Sequence, residues 1–359
     1  MLGLVAIAMS TEASRAEDIR LEALTIPAVV AGSSVALEAI VLRPDDSQPH
    51  PLAVINHGSP RNAADRATMS PYGMSAQARE FARRGWVAVA FLRRGYGRSE
   101  GGWAETYGPC ANPDYAGAGL AGASDIAAVA KFMASQPYVS RGKWISVGVS
   151  AGAFATVALT ANQPPGLAAA ISFAPGRGST SPDTVCGEDR LVAAFAQYGA
   201  TSRVPLLWVS AENDRFFGPR LVTVATGAFS RAGGAVTLVR TPPFGDDGHQ
   251  LFSVKGIPVW SPIVDRFLAT NGLAPRGASI EAAAAAAPPP RLDARGRDAF
   301  KSYLDSGPNK AFAVGAGTRF GWATGRRTID QAKKDALGFC AADGSGACTI
   351  VNVNDNAIR

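Results

Sequence analysis

The chain has 359 residues, of which 47% are hydrophobic and 18% are charged, and its formal net charge is +6. This composition is typical of a folded protein with a large core and excludes a disordered chain. Residues 291–359 hold eleven Lys or Arg against seven Asp, without aromatic residues interleaved among the basic ones, so we expect a solvated face and no nucleic-acid partner. The length predicts two folded units.

The first residues predict export. Residues 1–9 form a short apolar run, and Ser14 and Ala16 place small side chains where signal peptidase reads the chain. We therefore expect residues 1–16 to be a signal peptide and the protein to be secreted or periplasmic. The run is too short to cross a bilayer and no later stretch is long enough, so no membrane span is expected.

Strands and helices alternate along the next 250 or so residues. Residues 20–42 alternate apolar and polar side chains, which predicts an antiparallel pair of strands. The further predicted strands are 51–56, 86–92, 144–149, 167–173, 204–210 and 235–240, and the predicted helices are 73–84, 124–135, 151–162, 219–231 and 258–271. Apolar strands separated by helices predict an α/β domain with a doubly wound, mostly parallel sheet over residues 17–274.

The composition changes after this domain. Polyalanine at 282–287 and three prolines at 288–290 predict a linker over residues 275–297. Residues 298–359 carry their own cysteines, several aromatic residues and a helical stretch at 328–337, which predicts a small C-terminal α+β domain. A component of the cell envelope is a candidate ligand for this domain.

Four cysteines, an even number, fit an oxidising compartment. Cys340 and Cys348 are close in sequence, and Cys110 and Cys186 both lie in loops rich in Gly and Pro. Three connectivities are possible, and the pairs Cys340–Cys348 and Cys110–Cys186 are the simplest. The spacing does not suit a metal site, and we expect no metal and no other cofactor.

A serine stands at a sharp turn between a predicted strand and a predicted helix. Residues 148–152 read Gly-Val-Ser-Ala-Gly. At such a turn the hydroxyl of Ser150 is pushed out of the end of the sheet, and the flanking glycines avoid collisions with neighbouring elements. The N–H of Ala151, at the helix N-terminus, would face a developing oxyanion. We therefore predict that Ser150 is a catalytic nucleophile.

A serine nucleophile needs a base and a group that orients the base, and after such a turn the acid precedes the histidine in sequence. His249 is the one histidine after Ser150, in a loop that follows an apolar strand. Asp214 follows the strand at 204–210 and is the preferred acid, with Glu212 as its nearest rival. The other carboxylates between Ser150 and His249 are Asp183, Glu188, Asp189, Asp246 and Asp247.

The loop after the strand at 51–56 should supply a second oxyanion donor. It reads His57-Gly58-Ser59-Pro60, and we choose the N–H of Ser59 because proline has none. His57 is interpreted as a residue that holds this loop. His50 is interpreted as a surface residue.

Five motifs occur in an order that resembles the α/β-hydrolases. They are HGSP at 57–60, RGYGRSEG at 94–101, GVSAG at 148–152, AENDRFF at 211–217 and DGHQLF at 247–252. Over roughly residues 20–272 the chain looks most like the dienelactone hydrolase-like and prolyl oligopeptidase-like branch. The resemblance implies a triad of Ser150, Asp214 and His249 with Ser59 and Ala151 as the oxyanion hole. Dienelactone hydrolases proper carry cysteine as nucleophile, so their substrate does not carry over.

The predicted reaction is hydrolysis of a carboxylic ester through an acyl-enzyme, and a small-molecule ester is the expected substrate. A peptidase acting on short peptides is the first alternative. A non-catalytic binding protein of the cell envelope is the second. Two long loops, 100–119 and 175–203, could form a cap whose aromatic residues line the pocket or pack locally; these residues are Trp103, Tyr107, Phe195 and Tyr198.

Overall fold

A computed structural model describes residues 19–30, 32–274, 280, 286–342, 346–354 and 356–358. The predicted signal peptide, residues 1–16, lies outside these ranges. Residues 275–279 and 281–285 of the predicted linker also lie outside them.

The catalytic candidates lie on an eight-stranded sheet. The strands of this part of the chain are β1 (Ile19–Val30), β2 (Ser33–Pro44), β3 (His50–Asn56), β4 (Val87–Phe91), β5 (Val139–Val149), β6 (Leu167–Phe173), β7 (Ser179–Ser181), β8 (Thr184–Val185), β9 (Leu206–Ala211) and β10 (Val236–Thr241). The sheet order is β1-β2-β4-β3-β5-β6-β9-β10, and β7 and β8 form a separate small hairpin. β2 runs antiparallel to β1 and β4, whereas every other neighbouring pair in the large sheet is parallel. The predicted fold class, an α/β-hydrolase sheet, is confirmed.

Helices cover both faces of this sheet. They are α1 (Ser75–Arg83), α2 (Tyr115–Met133), α3 (Ala151–Asn162), α4 (Glu188–Thr201), α5 (Pro219–Arg231) and α6 (Ile257–Thr270). Because successive strand residues point to opposite faces, Val54 packs in the core under α2 to α5, and Ile55 packs in the core under α1 and α6. Across the described ranges, no helix combines the length and the apolar character needed to cross a membrane.

Two helices of the large domain differ clearly from the sequence prediction. α2 begins at Tyr115, well before the predicted 124, with Asp114 capping it by accepting the Gly117 N–H at 2.8 Å. α4 occupies part of the second loop that was expected to form a cap. Its residues Phe195 and Tyr198 are buried and pack against Phe154 of α3, so they belong to the core.

The C-terminal unit contains α7 (Ala294–Asp305), β11 (Ala311–Val314), β12 (Phe320–Ala323), α8 (Ile329–Cys340), β13 (Thr349–Val353) and β14 (Asn356–Ala357). Its four strands form an antiparallel sheet in the order β12-β11-β13-β14. Ala311 and Ala313 pack in the core with α8, and Phe312 between them packs with α7. α7 begins within residues that were predicted as linker, because Asp293 caps it by accepting the Gly296 N–H at 2.7 Å.

Two disulfides join the pairs that were favoured from the sequence. Cys110–Cys186 connects the loop before α2 to the loop before α4, across 76 positions. Cys340–Cys348 connects the end of α8 to the segment before β13, across 8 positions.

Because a bridge that closes a longer loop removes more entropy from the unfolded chain, we expect the two disulfides to stabilise the protein unequally. The loop-closure argument gives about 4.5 kcal/mol for Cys110–Cys186 and about 2.5 kcal/mol for Cys340–Cys348. The double variant Cys110→Ser/Cys186→Ser should therefore have the lower Tm in thermal denaturation, with Cys340→Ser/Cys348→Ser as the matched control. An equal or reversed order of the two Tm values would contradict this ranking.

Candidate active site

Ser150 lies between β5 and α3 in a strained backbone conformation. Its φ is 56° and its ψ is −123°, a region that residues with a Cβ rarely adopt. The Ser150 N–H donates to the Phe173 carbonyl at the end of β6 at 2.9 Å. The turn is thus attached to the neighbouring strand, and the serine is held at the carboxyl end of the sheet.

The two glycines of the motif let this turn close. A Cβ on Gly148 would lie 2.5 Å from the carbonyl carbon of Gly152. A Cβ on Gly152 would lie 2.3 Å from the carbonyl oxygen of His57. Both distances are far below van der Waals contact, so the strand, the helix and the loop after β3 can meet here only around glycine.

His249 is paired with Asp214. The histidine lies in a short 3-10 helix, Gly248–Gln250, after β10. Its Nδ1 is 3.1 Å from Oδ2 and 3.2 Å from Oδ1 of Asp214, and both side chains are buried. An ionised carboxylate only accepts hydrogen bonds, so it selects the tautomer with the proton on Nδ1 and leaves Nε2 as the basic nitrogen.

Asp214 is itself fixed by its own loop. Its Oδ1 accepts the N–H groups of Phe216 at 2.7 Å and Phe217 at 3.0 Å. These two bonds fix the orientation of the carboxylate independently of its contact with His249.

The rival carboxylates lie elsewhere. Glu212 and Asp246 are exposed, and Asp183 is an exposed partner of Arg215. Asp247 contacts the main chain of His249 and not its ring, with Oδ1 3.0 Å from the amide nitrogen. Among the seven carboxylates weighed from the sequence, Asp214 is the one that touches the imidazole.

Asn213, Asp247 and Gly248 hold the acid loop against the histidine loop, a role that the sequence did not reveal. Asp247 Oδ1 accepts the N–H of Arg215 as well as that of His249, both at 3.0 Å. Asn213 accepts the Phe244 N–H at 2.8 Å and its carbonyl accepts the Gly248 N–H at 3.1 Å. A Cβ on Gly248 would lie 2.6 Å from the Ala211 Cβ, so glycine permits this close approach. The sequence signal that could have indicated this role is the tendency of Asn and Asp in loops to form hydrogen bonds with nearby main-chain groups.

An aromatic ring also restrains His249. The Phe216 ring stacks on the imidazole with 3.8 Å between centroids and 12° between planes. The guanidinium carbon of Arg61 lies over the same Phe216 ring at 3.5 Å. The histidine can therefore rotate only by breaking a stacked contact as well as its bond to Asp214.

The loop after β3 runs beside the nucleophile. A Cβ on Gly58 would lie 3.1 Å from the Ser150 Cβ, and the next residue, Ser59, lines a pocket together with Ser150 and Ala151. Ala151 is the first residue of α3, where the main-chain N–H points away from the helix. The structure thus brings both oxyanion candidates, Ser59 and Ala151, next to Ser150.

The other two histidines have structural partners. His57 Nε2 accepts the Arg93 N–H at 3.1 Å, and Nδ1 donates to the Gly58 carbonyl at 2.6 Å. Burial and then the charge of Arg93 hold the pKa of His57 well below its ordinary value, so this ring is neutral. His50 lies between Asp46 and the Gly85 carbonyl, away from Ser150.

Cavities of unequal size open on Ser150. The larger cleft has a volume of about 1170 Å³ and is lined by Ser150 and His249, among others. The smaller pocket has a volume of about 90 Å³ and is lined by Ser150, Ala151 and Ser59, together with Trp103 and Tyr107, two of the four aromatic residues that could have lined the pocket or packed locally.

A buried charge cluster lies behind the smaller pocket. Arg93 and Arg177 both donate to the carboxylate of Glu105, which also accepts the Tyr96 hydroxyl at 3.1 Å. Burial lowers the pKa of Arg177 to about 10, which still leaves it charged at neutral pH. Two guanidinium groups share one carboxylate, so this side of the site is electropositive.

The sequence profile of the X-Pro dipeptidyl-peptidase (S15 family) matches residues 32–216, which is more than half of the chain and includes Ser150 and Asp214. The chain belongs to the S15 family. It is therefore a serine hydrolase of the α/β-hydrolase fold, as was predicted.

Solved structures resemble the S15 protein in fold. A Bacteroides ovatus protein named for dipeptidyl aminopeptidase IV superposes with a TM-score of 0.52 at 15% identity, over 70% of this chain and 36% of that one. An esterase of Pyrococcus furiosus superposes with a TM-score of 0.49 at 15% identity, over 70% of this chain and 90% of that one. No curated protein sequence matches the S15 protein.

The pairing of His249 with Asp214 leads to a prediction that distinguishes Asp214 from Glu212, the two carboxylates of the loop after β9. Asp214→Asn should lower kcat of the S15 protein about ten-thousand-fold, because the amide no longer selects the tautomer with a basic Nε2. Glu212→Gln is the matched control, since Glu212 is exposed, and it should keep wild-type kcat. Steady-state hydrolysis of p-nitrophenyl acetate measures both, and a large loss in Glu212→Gln with none in Asp214→Asn would reverse the assignment.

Proposed function

We propose that this S15 protein is a serine esterase in which Ser150, His249 and Asp214 form the catalytic triad. The Ser150 oxygen attacks the ester carbonyl carbon while its proton passes to His249 Nε2. His249 then gives that proton to the departing alcohol, and water attacks the acyl-enzyme by the same route to release the acid. Asp214 orients the imidazole and stabilises its charged form, and the N–H groups of Ala151 and Ser59 are the proposed donors to the oxyanion.

The contact that carries the triad is the bond from His249 Nδ1 to the Asp214 carboxylate, made beside a serine with a left-handed backbone. Strain of this kind costs on the order of 1–3 kcal/mol and persists where function requires it. A non-catalytic binding protein would gain nothing from it. The strained serine and the oriented histidine therefore favour an enzyme over the scaffold alternative.

The choice between ester and peptide rests on the smaller pocket. An X-Pro dipeptidyl-peptidase holds a dipeptide with a positively charged amino terminus on the acyl side of the scissile bond. Among the described residues that line this pocket there are three arginines, Arg61, Arg66 and Arg177, and no carboxylate. An ammonium group would be repelled there, so the lining favours a neutral or anionic acyl group.

The size of the same pocket favours a short acid. The pocket has a volume of about 90 Å³, far below the roughly 1170 Å³ of the larger cleft. It therefore suits a short acyl chain better than a dipeptide or a fatty acyl chain.

The proposed place of action is outside the cytoplasm, in the periplasm or the medium. Two disulfides support this proposal, because protein disulfides persist in oxidising compartments and are rare in the cytosol.

Two measurements test the proposed function. A fluorophosphonate probe should label wild-type protein and leave Ser150→Ala unlabelled.

In a panel of substrates, kcat/KM should be highest for p-nitrophenyl acetate to butyrate and fall roughly tenfold or more at octanoate, because the longer chain overfills the small pocket. Ala-Pro-p-nitroanilide should not be cleaved, and cleavage of it at a rate above that of the acetate ester would replace the esterase proposal with the peptidase one.

A further inference from the structure

The C-terminal domain forms part of the wall of the catalytic cleft. Residues of the turn between β12 and α8, from Thr324 to Thr328, line the same cavity as Ser150 and His249. Gln331 and Asp335, on the first turns of α8, line it as well. The large cleft thus lies between two domains and is not a feature of the catalytic domain alone.

A half-buried ion pair holds this wall in place. Arg327 donates to both carboxylate oxygens of Glu38 on β2, at 2.7 and 2.8 Å, and also to the Met69 carbonyl. A Cβ on Gly97 would lie 2.8 Å from a terminal nitrogen of Arg327, so the arginine needs a residue without a side chain at position 97. The bond from Glu38 raises the pKa of Arg327, as expected of a paired guanidinium.

The wall is also ordered within its own domain. Asp335 accepts the Arg326 Nε–H at 2.6 Å and the Gln331 amide at 2.7 Å. The Thr328 hydroxyl caps α8 by accepting the Gln331 N–H at 3.2 Å. These side chains therefore present a fixed set of polar groups to the cleft.

The position of the histidine decides which part of a substrate meets this wall. In the proposed mechanism His249 protonates the leaving alcohol, so the alcohol lies on the side of Ser150 where His249 lines the cavity. That side is the large cleft, because His249 lines it and does not line the small pocket; of the oxyanion candidates, Ala151 lines the small pocket alone and Ser59 lines both cavities. The unequal size of the two cavities therefore favours a substrate with a small acyl group and a large alcohol. This inference rests on the proposed function.

The lining indicates what kind of alcohol fits. Hydroxyl and amide side chains line the cleft beside apolar ones. The hydroxyl and amide residues include Thr68, Ser70, Gln77, Gln250, Ser253, Thr324, Thr328 and Gln331, and the apolar residues include Met69, Met74, Val149, Phe252 and Val254. Two of its charged groups neutralise each other, since Arg326 pairs with Asp335. Gln77 is buried, its amide nitrogen donates to the Phe252 carbonyl at 2.8 Å, and no described group donates to its Oε1.

We propose that the C-terminal domain binds the alcohol portion of the substrate and that this portion is an oligosaccharide carrying short O-acyl esters. Sugar hydroxyls both donate and accept hydrogen bonds, which matches a lining of hydroxyls and amides. A cleft of about 1170 Å³ has room for several sugar rings. The C-terminal domain is then a specificity element of the enzyme and not a separate binding module.

The test compares a substrate that reaches the wall with one that does not. Full-length Gln331→Ala and Arg326→Gln are assayed on an acetylated xylo-oligosaccharide, by acetate release, and on p-nitrophenyl acetate. The ratio of kcat/KM for the oligosaccharide to that for p-nitrophenyl acetate should fall roughly tenfold in each variant, mainly through KM, because a polar contact to the alcohol is lost. Lys334→Ala, an exposed residue of α8 that does not line the cleft, should keep the wild-type ratio.

The possible failures are distinguishable. A wild-type ratio in both wall variants would overturn the inference while leaving the esterase proposal intact. A fall in the ratio that occurs with an O-acetylserine peptide but not with the oligosaccharide would overturn the assignment of a sugar. Wild-type protein that hydrolyses neither acetate ester would contradict the proposed function itself.

Discussion

β5 passes into α3 within a single residue, and Ser150 therefore keeps a left-handed backbone. This conformation is held by hydrogen bonds from both sides: the Ser150 N–H donates to Phe173, and the Ser150 carbonyl accepts the Gly176 N–H at 3.3 Å. The other parts of the site are arranged around that turn. The loop after β3 can approach it because Gly58 and Gly152 lack side chains, and the acid and histidine loops end at the same edge because β9 and β10 run parallel to β5.

The buried arginines add an electrostatic element to this arrangement. Arg93 and Arg177 are almost completely inaccessible, and burying guanidinium groups costs free energy unless a carboxylate balances them. Glu105 neutralises one of these two positive charges. Burial alone would raise the pKa of Tyr96, but Arg177 and Arg93 outweigh it and hold that pKa below its ordinary value. The same positive potential extends into the pocket beside Ser150, where it favours the negative charge that develops on the carbonyl oxygen.

The sequence was sufficient to predict the parallel strands and the pairing of His249 with Asp214, because both depend on local patterns. β6, α3 and α5 have the predicted bounds. Asp214 was preferred over Glu212 from the sequence, and the structure separates the two, because Asp214 contacts His249 whereas Glu212 is exposed. The start of α2 was missed because its first turns, rich in Ala and Gly, are buried on several sides and show no single apolar face. α4 and α7 were missed because their flanks contain loop-forming residues. The shared cleft could not be predicted, since it depends on a contact between residues 289 positions apart.

Gly97 belongs to the loop after β4, and a Cβ there would lie 2.3 Å from Leu92 Cδ1, 2.6 Å from the Met69 carbonyl oxygen and 2.8 Å from a terminal nitrogen of Arg327 in the C-terminal domain. The same carboxylate that binds Arg327 also accepts the Arg98 N–H at 3.1 Å, next to that glycine. A methyl group at position 97 would collide with Leu92 and the Met69 carbonyl as well as with Arg327, and a displaced Arg327 would leave Glu38 without its counter-ion. The hydrolase half and the C-terminal half are thus matched to each other at this point, and neither could be exchanged for a homologous unit unless the pair of residues travelled together.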